Sequence, residues 1–180
     1  METYIALLRG INVSGHNKIK MIELKQLFID LSFKNVTTYI QSGNVIFQSE
    51  QIIISKIEQQ IIEQIKQLFG HTINVLVITK KQLKTIFKSN PFLKNKAIDI
   101  KALYTILLKD NYFAEGIKLI EPYLTNNEEL KLIDNCAYIY YPIGAGKSKL
   151  TINIIEKKLK TTATSRNWRT ITKLVELSDL

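Results

Sequence analysis

Arginine is the scarcest charged side chain in this sequence, and two of its three copies stand among glycines, asparagines and serines. Arg9-Gly10-Ile11-Asn12, with Lys18 shortly after, forms the first group. Gln41-Ser42-Gly43-Asn44 forms a second, the run Gly144-Ala145-Gly146-Lys147-Ser148-Lys149 a third, and Arg166-Asn167 a fourth. The chemistry these residue types share is anion recognition. A planar guanidinium grips a carboxylate or phosphate through two parallel N–H bonds, which a lysine ammonium cannot do. With 22 lysines against three arginines, a retained arginine points to use of that fork. Five of the seven glycines (10, 15, 43, 144 and 146) fall in the same short polar segments.

Each of these residues also has a purely structural role open to it. Arg9 suits a bidentate grip on a ligand, or a buried ion pair that pins its loop. Asn12 and Asn44 suit a ligand, or the backbone groups of their own loops. Residues 144–148 imitate the end of a Walker phosphate loop. The glycine that motif requires five residues before its Gly-Lys pair is Tyr141 here. The loop also follows what reads as the last strand, with no later strand to carry a magnesium-binding aspartate. A nucleoside triphosphatase is therefore not expected. Two readings remain: an anion held at a helix starting at Ser148, or a chain reversal with Ser148 as the helix cap. The second is preferred. Arg166 is expected at another helix start, where it can hold a phosphate or pair with Glu121 or Asp134. Trp168 reads as a core anchor, its face continued by Ile171, Leu174 and Val175. Tyr138, Tyr140 and Tyr141 read as sheet packing. His16, His71 and Cys136 are isolated from one another, so neither a metal site nor a Cys-His pair is expected. No cofactor motif is complete.

The elements that must position these groups are legible from periodicity. Residues 4–13 read as a strand. Residues 22–31 read as a helix with Leu24, Leu27, Phe28 and Leu31 on one face. Residues 36–41 and 44–48 are strands joined at Ser42-Gly43, and glycine permits the positive φ of a tight turn. Residues 54–69 form a helix on Ile57, Ile61, Ile65 and Leu68, closed by Gly70. Residues 73–78 are β-branched and strand-like. The order β-α-β-β-α-β is the split ferredoxin-like pattern. Right-handed crossovers place the third strand between the first two. Arg9, Gly10 and Asn12 should then lie beside Ser42, Gly43 and Asn44, and residues 14–20 should leave from the same edge.

In the second half, residues 81–88 read as a helix ended by Asn90-Pro91, and 101–108 as a strand. Residues 113–124 read as a helix interrupted by Gly116 and Pro122. Residues 130–133 and 137–141 read as a hairpin around Asp134-Asn135, with helices at 148–159 and 167–177. This is a second such unit with its last strand missing or replaced. The expected fold class is α+β: two ferredoxin-like (α/β-plait) subdomains packed together, residues 1–80 and 81–180, the second degenerate, with C-terminal helices. The plait invites comparison with RNA-recognition domains. Its third strand offers only Phe47, and their Gly-Phe-x-Phe-type signature is missing, which argues against ordinary base readout.

At 180 residues the chain buries about 70% of its unfolded surface without cross-links, and one cysteine allows no disulfide framework. The first residues lack a basic segment and a long apolar run, so no signal peptide or membrane span is expected and a cytoplasmic location is. The net charge is +9. Residues 142–173 hold eight Lys or Arg and one acid, Glu156, while the rest of the chain is nearly balanced. Such a basic segment either concentrates anionic partners or is a solvated helix face.

Several of these motifs, in order, resemble those of the bacterial domain-of-unknown-function family 1697. They are Ala6-Leu7-Leu8-Arg9-Gly10-Ile11-Asn12-Val13, Asn17-Lys18-Ile19 with Met21, and Tyr39-Ile40-Gln41-Ser42-Gly43-Asn44-Val45. Asn90-Pro91-Phe92, Tyr141-Pro142 with Gly144 and Gly146, Ser148-Lys149-Leu150 and Arg166-Asn167-Trp168 complete the set. Ser14 stands where the family usually has glycine. The resemblance implies a tandem α/β-plait protein and lends no catalytic residues. The leading expectation is a protein that binds an anionic ligand, either nucleic acid or a phosphorylated small molecule. Arg9, Gly10, Asn12, Lys18, Gln41, Ser42 and Asn44 would form one wall. Gly144, Gly146, Lys149, Arg166 and Asn167 would form the other. The alternatives are an enzyme acting on a small phosphorylated or carboxylated metabolite, and a non-catalytic scaffold.

Overall fold

The computed structural model describes residues 1–13, 15–109 and 112–180; Ser14, which the sequence placed in the first polar loop, lies outside them. The fold is mixed α+β with two four-stranded antiparallel sheets among the described residues. The first sheet contains β1 (Glu2–Leu8), β2 (Lys34–Tyr39), β3 (Asn44–Ser49) and β4 (Val75–Thr79), in the order β2-β3-β1-β4. Helices α1 (Met21–Asp30) and α2 (Ile54–Phe69) make its two crossovers. The second sheet contains β5 (Leu103–Leu108), β6 (Glu129–Ile133), β7 (Cys136–Tyr140) and β8 (Ala163–Asn167), in the order β6-β7-β5-β8. Here α3 (Lys80–Lys88) precedes β5, α4 (Ile152–Leu159) joins β7 to β8, and α5 (Trp168–Ser178) follows β8.

The chain divides into two compact units, Met1–Lys84 with Leu174–Leu180, and Thr85–Lys173. In the first, β3 lies between β1 and β2, antiparallel to both, as the crossover rule requires. Helix α2 follows its isoleucine stripe: Ile57, Ile61 and Ile65 are fully buried, each worth roughly 1.5–3 kcal/mol relative to exposure. Leu68, expected on that stripe, is exposed instead. Gly70 ends the helix in the left-handed conformation, φ 69°. The buried Glu58 reaches across from α2, and its Oε1 accepts from the Val77 N–H at 2.9 Å. That bond occupies a donor on the edge strand β4, which would otherwise invite another chain to pair.

The second unit uses the same device: the Glu156 Oε1 in α4 accepts from the Ala163 N–H on β8 at 2.8 Å. Strand β8 itself corrects the expectation that the last strand is missing or replaced. Residues 163–167 run antiparallel to β5, with Leu108 opposite Ala163 and Tyr104 opposite Asn167. What has changed in this unit is the first crossover. Residues expected to form a helix over 113–124 form two 3-10 turns, Ala114–Ile117 and Glu121–Tyr123. Gly116 packs so closely that a Cβ there would fall on the Lys158 carbonyl, and Pro122 removes a helical N–H. The helix expected from Ser148 begins at Ile152, and its cap is Thr151, whose Oγ1 accepts from the Ile154 N–H. Trp168 is buried and stacks on Phe87, the ring centres 5.3 Å apart. No helix among the described residues is long and apolar enough to cross a membrane.

Candidate functional site

Strand β1 stops at Leu8, short of the expected Val13, because the chain turns away there. The Leu8 N–H donates to the Gly43 carbonyl at 2.8 Å and the Arg9 N–H to the Asn74 carbonyl at 2.9 Å. Gly10 (φ +69°) and Asn12 (φ 54°) then take left-handed conformations, which glycine adopts freely and asparagine tolerates. Ile11 and Ile19 turn inward and join the core of this unit. Of the described residues between them, Asn12 and Asn17 are half-buried and Gly15, His16 and Lys18 are exposed.

Asn12 holds this loop together. Its Nδ2 donates to the carbonyls of Ile19 and Gln41, both at 2.9 Å. Its Oδ1 accepts from the Ile19 N–H at 2.9 Å. Both amide hydrogens are thus engaged by the backbone, and one of them fixes the β1 loop to the β2–β3 turn. The Asn17 Nδ2 adds a bond to the Gly10 carbonyl at 3.0 Å. Across the turn, Gly43 (φ +74°) sits so close to β1 that a Cβ would come within 2.7 Å of both Ile11 Cδ1 and Leu8 Cβ. The two segments that the sequence placed side by side are therefore in contact.

The expected wall separates into two kinds of residue. Asn44 is fully buried, and its Nδ2 donates to the Tyr39 carbonyl and to Ser42 Oγ, both at 3.0 Å. With Asn12 it is a bracket, and it is withdrawn from solvent. Arg9 is partly exposed, and Gly10, Lys18 and Gln41 are exposed at the edge, with Ser42 half-buried beside them. The sequence reading left out three residues here. Asn74 receives the Arg9 N–H, Asn17 ties the loop, and the His71 Nε2 lies 3.4 Å from the Lys18 carbonyl. The asparagine had a signal in the Asn17-Lys18-Ile19 motif; the other two come together only through the β4 crossover.

The second expected wall belongs to the second unit. Tyr141 ends β7 by donating its N–H to the Ala102 carbonyl at 2.9 Å. The Asn167 Nδ2 ends β8 by donating to the adjacent Lys101 carbonyl at 3.0 Å. The 142–148 loop and Asn167 therefore share the edge where β5 begins. Gly144 (φ +95°) reverses the chain into a single 3-10 turn, Ala145–Lys147. Ser148 Oγ accepts from the Leu150 N–H at 2.9 Å. An α-helix does not follow directly, so neither the helix N-terminus expected at Ser148 nor its role as helix cap survives. Gly144, Gly146 and Lys149 are exposed. Strand β8 follows this loop, correcting the expectation of no later strand, yet its residues Ala163-Thr164-Ser165-Arg166-Asn167 include no acid.

Arg166 is a correction in place. It is on β8 opposite Thr105, not at a helix start, and is only 8% exposed. Its Nη1 donates to the Ser165 carbonyl at 2.8 Å. Burial pulls its guanidinium pKa down to about 10, the direction expected when a charge loses water. Phe47, the one aromatic that could have presented a base on the third strand, is buried among Tyr4, Phe28 and Phe33. Tyr138 donates its hydroxyl to the Ile86 carbonyl at 2.8 Å, and Tyr140 and Tyr141 pack on Phe92 and Tyr104.

The search of curated proteins returned no match. Among solved structures, the conserved bacterial protein SP0830 from Streptococcus pneumoniae aligns over 98% of both chains, with a TM-score of 0.76 and 20% sequence identity. That likeness is one of fold. The family profile described as "Protein of unknown function (DUF1697)" matches residues 1–138. It takes in the Arg9, Gln41 and Asn90 motifs, and the Gly144 and Arg166 motifs lie beyond it. On that match the chain belongs to the DUF1697 family.

Proposed function

We propose that this protein binds a phosphate-bearing ligand at the edge of its first sheet, and that each sheet with its crossovers is a ferredoxin-like plait. The ligand is either a nucleic acid or a phosphorylated small molecule. Arg9 and Lys18 supply the charge, and Gln41, Ser42 and Gly10 supply neutral donors around it. Asn12 and Asn44 position these groups without touching the ligand. The observation that supports this reading is the Asn12 bracket. A loop that only reversed the chain would have no need of two side-chain bonds closing it on Ile19 and a third fixing it to a turn about thirty residues away. Fixed donors lose little entropy on binding, which is where preorganisation gains affinity.

The test is a thermal-shift screen of nucleotides, phosphorylated metabolites and short oligonucleotides at two salt concentrations. Stabilisation that collapses at high salt and requires an oligonucleotide identifies nucleic acid. A single responsive metabolite identifies a pocket. Arg9→Ala should weaken the response about tenfold or more, as loss of a charge-assisted bidentate contact does. Lys25→Ala, on the exposed face of α1, should leave it unchanged. Equal losses in the two variants would mean diffuse charge and would end the proposal.

A further inference from the structure

The two sheets repeat one hydrogen-bond pattern at the outgoing ends of their first strands. In the first, the Leu8 N–H meets the Gly43 carbonyl and the Arg9 N–H meets that of Asn74. In the second, the Leu108 N–H donates to the Asn135 carbonyl and the Lys109 N–H to that of Thr162, each at 2.9 Å. The registers agree residue for residue: Leu8 pairs with Val75 as Leu108 pairs with Ala163, and Tyr4 with Thr79 as Tyr104 with Asn167. Lys109 therefore occupies in its own sheet the place Arg9 has in the first. The 142–148 loop and Asn167 occupy the opposite edge, where β5 begins.

The Lys109 edge carries its own chemistry. Phe113 donates its N–H to the Leu159 carbonyl at 2.9 Å, so residues 159–162 are held at one end by Phe113 and at the other by Lys109. The Phe113 side chain is left 39% exposed. Lys160, the left-handed residue that ends α4, places its Nζ 4.6 Å from the centre of the Phe113 ring. Lys157 and Lys158 occupy the last turn of the same helix, and the Lys158 Nζ stands 5.8 Å from the centre of the Tyr123 ring. Among the described residues, the acids on the adjoining segments include Glu115, Glu156 in α4, and Asp134 in the turn that receives the Leu108 N–H.

We propose that this edge is a binding site for single-stranded nucleic acid. A base stacks on Phe113 while Lys109 and Lys160 take the flanking phosphates. A base–aromatic stack is stronger than an exposed cation–π contact. Lys160 therefore yields the ring to a base and moves to a phosphate within reach. The flat exposed ring among lysines is what selects this occupant. An acidic peptide would satisfy the charge and leave the ring without a partner, and a duplex would keep its bases from it. The inference stands on the second unit alone and does not require the Arg9 edge to bind anything.

The experiment is fluorescence anisotropy of a labelled oligothymidylate of about 12 nucleotides, titrated with the full chain across a salt series. Phe113→Ala should weaken binding about tenfold and leave the salt slope unchanged. Lys109→Ala and Lys160→Ala should each reduce the slope of log K against log salt by about 0.7. If circular dichroism shows that Phe113→Ala disturbs the fold, Phe113→Leu, which keeps most of the volume without the aromatic face, decides alone. Wild-type affinity in the folded Phe113 variant overturns the proposal. So does competition by inorganic tripolyphosphate as effective as that by unlabelled oligonucleotide. Loss in Arg9→Ala with none in the Phe113 variant would place the nucleic acid on the first sheet and overturn this site while supporting the other.

Discussion

Gly43 and Gly10 share a left-handed backbone yet differ in what surrounds them, and the difference separates two costs. Alanine at either position pays for positive φ, about 1–2 kcal/mol. At Gly10 nothing lies within 4 Å of the added Cβ, so that is the whole cost. At Gly43 the Cβ comes within 2.7 Å of Leu8 and Ile11, and relieving such crowding in a packed region adds about 1–3 kcal/mol. Gly43→Ala should therefore lose roughly twice the stability that Gly10→Ala does, read as urea unfolding midpoints. Equal losses would show that the close approach of turn and strand carries no energy. Sequence made this pair visible through glycine scarcity and the motif that brackets it. Arg166 was not legible in the same way. A rare arginine beside an asparagine looks the same whether it meets solvent or, as here, is buried on β8 and donates to a neighbouring carbonyl.

Among elements, legibility tracks amphipathic period. Helices α1 and α2 carry apolar residues at regular spacing, and their positions follow from it. Strand β8 reads Ala-Thr-Ser-Arg-Asn, with no apolar run, so only its pairing to β5 makes it a strand. Residues 113–124 form 3-10 turns in place of a helix, with Gly116 packed so tightly on the end of α4 that a Cβ would meet the Lys158 carbonyl and Pro122 unable to donate a helical N–H. Strand β7 yields a pH prediction. Cys136 and Tyr138 alternate onto one buried face. Burial, with Asp134 adding a smaller push in the same direction, raises the Cys136 thiol to about 12 against an ordinary 9.0, despite an opposing hydrogen bond with Tyr138. Above pH 9 the unfolded chain releases this proton while the folded chain keeps it. The unfolded state then binds fewer protons, and stability falls as pH rises. The loss is on the order of 1 kcal/mol by about pH 10. Tyr138 and Tyr141, raised chiefly by burial, reinforce the fall only near and above the ordinary 10.0. Arg166 opposes it only above about 10, where the folded chain loses its proton first. Denaturant midpoints taken from roughly pH 8 to 10 should therefore decline more steeply in the wild type than in Cys136→Ala. Parallel curves would mean that the thiol titrates alike in both states.

At the scale of the whole molecule, charge and connectivity divide along different lines. The basic run at 142–173 falls entirely in the second unit, so the excess of positive charge belongs to one unit and not to the chain at large. Connectivity does not divide so cleanly. Residues Leu174–Leu180, at the end of α5, belong to the first unit although every residue from 85 to 173 belongs to the second. Leu174 is fully buried and Ser178 nearly so. Asp179 reaches Lys80 at 2.8 Å and Lys84 at 2.6 Å. Hydrogen bonds from those two lysines hold its carboxyl below the usual value, so the clasp is present at neutral pH and weakens as acid protonates it. Those surface bonds contribute little to stability; the buried leucine contributes more, since removing such a side chain costs about 2–5 kcal/mol. A chain ending at residue 173 should therefore lose stability in one unit first. Native-state hydrogen exchange reads this directly, because local opening energies differ across a structure. Amides of β1 and β3 should exchange faster in the truncated chain by a factor on the order of a hundred. Those of β5 and β7 should keep their protection. Uniform acceleration across both sheets would mean that the two units unfold as one cooperative body and that the returning segment secures both.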